Sequence, residues 1–128
     1  MKRVILLIII LLFLAGCRQS QQEGGSGTAE LSIELVEPTA PTLSGSTEMT
    51  VRVSDGEGTA VNNAALSIKG DMTHAGMMPV LADVDGGNNG LYTVPFAWTM
   101  TGDWIVTVRA TLPDGTWSEQ QFDLRVLD

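Results

Sequence analysis

From residue 29 to its end the chain alternates apolar and polar side chains in short runs. That period of two constrains the fold more than any other feature. "ELSIELV" puts Leu31, Ile33 and Leu35 on one face, with Ser32 and Glu34 opposite. "TEMTVRVSD" puts Met49, Val51 and Val53 inward, with Thr50 and Arg52 outward. "AALSIKG" offers Leu66 and Ile68, and "GLYTVPF" sets Leu91 and Thr93 against Tyr92 and Val94. "DWIVTVRATL" turns Trp104, Val106, Val108 and Ala110 inward, and "QFDLRVL" does the same with Phe122, Leu124 and Val126. Alternation of this kind marks half-buried strands, because successive side chains of a strand point to opposite faces. Turn signals separate the runs: "PTAPTLSGS", "SDGEGT", "DVDGGNNG" and "LPDGTW". The last has Pro113 and Gly115 at positions favoured in a tight hairpin turn. Pro95 inside "LYTVPF" points to a sheet edge or a bulge. No segment after the first sixteen residues has helical spacing. The expected fold is all-β, an immunoglobulin-like antiparallel β-sandwich of about seven strands over residues 29–128.

The residues ahead of it read differently. Lys2 and Arg3 precede an unbroken apolar run over residues 4–15, followed by "LAGC" at residues 14–17. A basic start, an apolar run of about twelve residues and a small-residue site together describe an export signal, here residues 1–16. The run falls short of the roughly twenty residues that cross a bilayer. "LAGC" resembles the lipobox of bacterial lipoproteins. That resemblance implies that Cys17 becomes the first mature residue and carries lipid, so the membrane would be a partner through the N-terminal anchor. Residues 17–28, with "RQSQQEGGSGT" after the cysteine, are expected to be a flexible linker. The expected location is extracytoplasmic, tethered to a bacterial cell membrane.

Composition narrows the chemistry. The chain has 15 acidic and 7 basic residues, a net charge of −8. Removal of Lys2 and Arg3 with the signal leaves 15 against 5, or −10. Such a balance argues against nucleic acid and against anionic lipid headgroups as partners. Cys17 is the single cysteine, so the domain can hold neither an internal disulfide nor a thiolate zinc cluster.

One stretch stands apart. "GDMTHAGMMPV" at residues 70–80 holds the only histidine, His74, with Met72, Met77 and Met78. In an immunoglobulin-like sandwich this connection, between the third and fourth strands, shares an end with the connection between the fifth and sixth. The latter is "FAWTMTGDW", which brings Met100, Trp98 and Trp104 into consideration. One imidazole among thioethers suits neither zinc, calcium nor magnesium, which prefer thiolates, several imidazoles or oxygen. It suits Cu(I), a soft ion that tolerates low coordination. The candidate metal ligands are Met72, His74, Met77, Met78 and Met100. A second account is structural: methionine fills irregular gaps in cores, and Met77 and Met78 beside Pro79 would cap the sandwich end as an apolar plug.

From about residue 51 to 126 the chain resembles the YtkA-like domain, which is related to FixH-like periplasmic domains. The resemblance rests on "MTHAGMMP", on "DGGNNGLYTVPF" with its Gly-x-Tyr strand, on "MTGDWIVTV" with its Gly-x-Trp strand, and on the alternating final strand. It implies an immunoglobulin-like, exported or membrane-tethered, non-enzymatic domain linked to copper and oxidase-assembly settings. Many such domains carry several histidines in the loop; this chain has His74 alone.

Catalysis finds little footing. No nucleophile motif accompanies His74, and thioethers do no acid–base work. "DVDGGNNG" lacks the spacing and terminal glutamate of an EF-hand loop. Trp98, Trp104 and Trp117 are read as core anchors in preference to a sugar-stacking face. Two functions stand: a lipid-anchored binding module that holds Cu(I), or a structural or protein-interaction domain that attaches to an envelope protein partner without metal. The domain is expected to be monomeric.

Overall fold

The computed structural model describes residues 28–128. The export signal, Cys17 and residues 18–27 of the linker lie outside the described residues. Seven strands follow in order: β1 (Leu31–Glu37), β2 (Glu48–Asp55), β3 (Ala65–Met72), β4 (Val80–Asp85), β5 (Leu91–Pro95), β6 (Gly102–Thr111) and β7 (Trp117–Val126). They form two antiparallel sheets, ordered β1-β2-β5 and β4-β3-β6-β7. This is the immunoglobulin-like sandwich expected from the alternation, with its fourth strand on the larger sheet.

The inner faces follow the period-two pattern. Met49, Val51 and Val53 of β2, Leu66 and Ile68 of β3, and Tyr92 and Val94 of β5 are buried. So are Trp104, Val106, Val108 and Ala110 of β6. Each buried Val, Leu, Ile or Met among them contributes about 1.5–3 kcal/mol by leaving water. At the edges the pattern weakens. Leu31 and Leu35 of β1, and Phe122 and Leu124 of β7, pack on the core only partly buried, because a strand with one neighbour lacks cover on its other side. β4 is also an edge strand. Its inward residues Val80, Ala82 and Val84 are half-buried, and Leu81, Asp83 and Asp85 face water. Pro95 closes β5, the edge of the smaller sheet, where a missing backbone donor costs no ladder bond.

β1 ties the two sheets together. Its middle pairs with β2, and a register shift lies between Leu35 and Glu37. Both flanks run parallel to β7. Ala29 N–H donates to the Trp117 carbonyl at 2.8 Å, Leu127 N–H to the Pro41 carbonyl and Leu43 N–H to the Leu127 carbonyl, both at 3.0 Å. Thr28 also bridges Trp117, so the first described residue is already held to β7.

The expected turns form. Asp55 Oδ1 accepts from the backbone N–H of Glu57 and Thr59, each at 2.9 Å, across "SDGEGT". Asp114 Oδ1 accepts from Thr116 N–H at 2.9 Å in the β6–β7 hairpin, where Gly115 has φ +86°. Tyr92 anchors the β2–β3 connection. Its hydroxyl donates to the Val61 carbonyl at 2.7 Å and accepts from Ala64 N–H at 3.2 Å.

Candidate functional site

Successive strands alternate in direction, so every second connection lies at the same pole. Met72 at the end of β3 pairs with Trp104 near the start of β6, and Val126 at the end of β7 pairs with Gly102. Glu48 at the start of β2 pairs with Pro95 at the end of β5. The β3–β4 loop (residues 73–79) and the β5–β6 connection (residues 96–101) therefore share one pole, as the topology requires. Thr73 N–H and Oγ1–H both donate to the Asp103 carbonyl, at 3.2 and 3.4 Å, and join the two segments directly. The β1–β2 connection and the residues after β7 reach the same pole. Thr28 lies at the other, about 30 Å away along the ten residues of β6 at ~3.3 Å per residue.

An aromatic layer seals the pole from beneath. Phe96 and Trp98 meet edge-on with centroids 4.8 Å apart, and Trp98 and Trp104 do so at 5.4 Å. Offset, edge-on contact is the favourable arrangement for aromatic pairs. Trp104 Nε1–H donates to the Met100 carbonyl at 3.0 Å, which fixes the connection above the ring. Two glycines make room for the layer. A Cβ at Gly70 would stand 2.6 Å from Phe96 Cζ, and one at Gly102 would stand 3.3 Å from Met72 Cε.

The candidate ligands divide by burial. Met72 is 9% exposed and belongs to the sealed layer. His74 is exposed. Met77, Met78 and Met100 are 37%, 84% and 43% exposed. The plug account of Met77 and Met78 fails on this point: neither enters the core, and Met72 with Phe96, Trp98 and Trp104 closes the sandwich instead. Trp117 also departs from expectation. It is half-buried at the far end, with the Arg109 guanidinium 4.2 Å above its ring, and does not anchor the core.

Sequence reasoning missed two contributors to the pole. Leu43 and Leu127 are exposed there, brought together by the backbone bond between them. Leu81, one residue into β4, is also exposed, on the opposite edge strand of the larger sheet. All six exposed large apolar side chains among the described residues thus lie at or next to this pole. No alternation in the turn-rich β1–β2 connection signals that it travels to β7.

Two carboxylates near the pole are engaged in ion pairs. Lys69 Nζ stands 3.0 Å from Asp71 Oδ2, and Arg125 Nη1 stands 2.9 Å from Asp103 Oδ1. These exposed pairs add at most about 1 kcal/mol each to stability, but they engage the carboxylates beside Met72 and Trp104. No group of three His, Cys, Asp or Glu side chains among the described residues could hold a metal ion. The soft donors exposed at the pole are one imidazole and three thioethers.

No curated protein sequence matches the chain. Among solved structures, the crystal structure of an engineered protein is similar, with 22% identity and a TM-score of 0.46, over 77% of this chain. This chain spans only 20% of that protein's length. The YtkA-like family profile matches residues 26–109, which run from just ahead of β1 almost to the end of β6 and include the whole β3–β4 loop. The chain belongs to the YtkA-like family.

Proposed function

We propose that this YtkA-like domain is a binding module that holds Cu(I) through His74, Met77, Met78 and Met100. Met72 forms the floor beneath them. The observation that carries the proposal is the division of sulfur by burial: Met49 and Met72 lie inside, whereas the other three described methionines share an exposed pole with the only imidazole. Thioether sulfur and neutral imidazole are the donors that Cu(I) prefers. Asp71 and Asp103, whose oxygens would favour a harder ion, are paired with Lys69 and Arg125. The role is non-catalytic, and the ion is cargo held for transfer. The module is monomeric and extracytoplasmic. Lipid on Cys17 anchors it, and since the chain enters the sandwich at Thr28, the binding pole faces away from the tether.

The test is a titration of the full chain, in detergent micelles, with Cu(I) held by a chromophoric chelator. The parent withdraws Cu(I) from the chelator, and His74→Ala and the double variant Met77→Leu/Met78→Leu withdraw less. A parent that leaves the chelator's colour unchanged removes the copper reading. Mass spectrometry of the membrane fraction checks the anchor: acylated Cys17 is expected, and a Cys17→Ser chain that stays in the membrane would refute it.

A second reading is a protein-interaction domain without metal, docked on an envelope partner. The observation in its favour is the adjacent exposed pair Leu43 and Leu127, at the pole that also bears the exposed methionines. Contiguous exposed apolar surface marks interaction sites more often than isolated residues do. The two readings part on His74→Ala, which lowers Cu(I) retention in the first and leaves an apolar docking face intact in the second.

A further inference from the structure

The same division of sulfur by burial carries a consequence for oxidation. Methionine sulfur reacts with hydroperoxides according to its exposure. The five described methionines fall into two well-separated groups. Met49 is 0% exposed and Met72 9%, and Met72 sits in the layer formed by Phe96, Trp98 and Trp104. Met77, Met78 and Met100 are open to solvent on the single pole that also bears His74.

We propose that Met78, followed by Met100 and Met77, forms a sulfoxidation site that switches the pole from a soft donor set to a hard, polar one while the fold stays intact. This consequence for binding rests on the Cu(I) reading above. In the reaction the thioether sulfur donates an electron pair to one oxygen of hydrogen peroxide. The O–O bond breaks as the S–O bond forms. The sulfur is oxidised by two electrons and the peroxide is reduced. The proton on the transferred oxygen passes to the departing hydroxide, which leaves as water. The sulfoxide presents oxygen where sulfur stood, and oxygen is a poor partner for Cu(I). No buried side chain needs to move, because Met72 and the aromatic layer are shielded. The change is reversible, since sulfoxide reductases restore the thioether.

The experiment treats the full chain in detergent micelles with hydrogen peroxide and maps oxidation by peptide mass spectrometry. Near-UV circular dichroism follows Trp98 and Trp104. Met78 is expected to oxidise at least about tenfold faster than Met49 and Met72, with an unchanged near-UV spectrum. Once urea unfolds the chain, all five should oxidise at similar rates. Oxidised protein should bind Cu(I) at least about tenfold more weakly, and reductase with a dithiol should restore binding. Equal oxidation of Met72 and Met78 in the folded chain overturns the proposal, as does loss of the near-UV signal in step with Met78 oxidation. If parent and oxidised chains bind Cu(I) equally, the switch alone is overturned. A parent that binds no Cu(I) overturns the copper reading and the switch with it, and the two failures are thereby told apart. The variant Met77→Leu/Met78→Leu/Met100→Leu keeps the apolar pole without its sulfur. It should take up no oxygen at these positions and keep its near-UV spectrum under peroxide.

Discussion

Met72 and Trp104 face each other across the β3–β6 ladder, and both side chains are buried. Their pairing is where the core of the sandwich ends and the exposed pole begins. One residue further on, Thr73 donates to the Asp103 carbonyl, and beyond it the chain is loop. Neighbouring methionines in one short stretch therefore do different work, and substitution separates them. Met72→Ala leaves a cavity against the aromatic layer and should cost about 2–5 kcal/mol, as for other large-to-small core changes. Met78→Ala removes an 84% exposed side chain and should stay within about 0.5 kcal/mol of the parent. Urea denaturation followed by tryptophan fluorescence measures both. A stable Met72→Ala would mean that the layer does not depend on this side chain.

Gly70 tests the same layer from the opposite direction. It lies in mid-strand, yet Phe96 Cζ occupies the place where its side chain would begin, 2.6 Å from an added Cβ. Trp104 ring carbons lie 3.4 Å away on another side. Gly70→Ala must push Phe96 out of line with Trp98, and overpacking of this kind costs about 1–3 kcal/mol. The shift should also change the near-UV signal of the tryptophans. Glycine is usually a weak strand residue, so a gain in stability would show that Phe96 has room to move.

Side-chain alternation made the interior legible wherever a strand has neighbours on both sides. Val51, Ile68 and Val108 are buried as the period of two requires, because a central strand has one dry face. It was less informative at edges. Leu31 and Phe122 fall on the expected face but remain partly open, since edge position depends on strand order, which a local pattern does not contain. β4 has a place in the strand order, but no alternating run marks it, for a related reason. "VLADVD" mixes small and acidic residues, and its inward side chains are only half covered. The site divided similarly. Topology alone placed residues 73–79 and 96–101 at one pole, because alternating strands leave no other choice. Whether Met77 and Met78 would enter the core was not legible. Methionine suits a core gap and an exposed loop equally well, and the space was already filled by Phe96 and Trp98, two residues far away in sequence. Gly70, which admits Phe96, carries no local sign of that role.

The β6–β7 hairpin makes a prediction at low pH. Asp114 Oδ1 accepts from the Thr116 hydroxyl at 2.6 Å and from Thr116 N–H at 2.9 Å. The hydroxyl bond first, and the backbone bond second, hold the Asp114 carboxyl below its ordinary value of 3.8. A carboxylate with a lowered folded value stabilises the fold above the unfolded value, and that contribution disappears as pH falls through the folded value. Asp114→Asn should therefore destabilise at neutral pH and converge with the parent in strong acid. NMR titration of the Asp114 carboxyl carbon would test the direction. A midpoint at or above the ordinary value would contradict the hydrogen-bonded turn.

Tyr92 provides the counterpart at high pH, and its assignment is unambiguous because it is the only tyrosine. Burial raises the phenol above its ordinary value of 10.0, and the Ala64 N–H, which favours the phenolate, offsets this only in part. The folded state therefore holds the proton more tightly than the unfolded chain. The resulting stability is complete below about pH 10 and is lost as pH rises through the raised folded value. Tyrosinate absorbance near 295 nm should show a midpoint above the ordinary one in folded protein and the ordinary one in urea. Tyr92→Phe removes both the donor to Val61 and the acceptor for Ala64 N–H. Leaving these backbone groups unpaired should cost about 1–3 kcal/mol at neutral pH. The penalty should shrink in alkali, since the variant has no phenol to deprotonate. The β2–β3 connection, released at Val61 and Ala64, should then exchange its amide hydrogens faster while the far pole with Met72 and Trp104 keeps its protection. A normal tyrosinate midpoint in folded protein, or unchanged stability of Tyr92→Phe, would show that the hydroxyl does not fasten this connection.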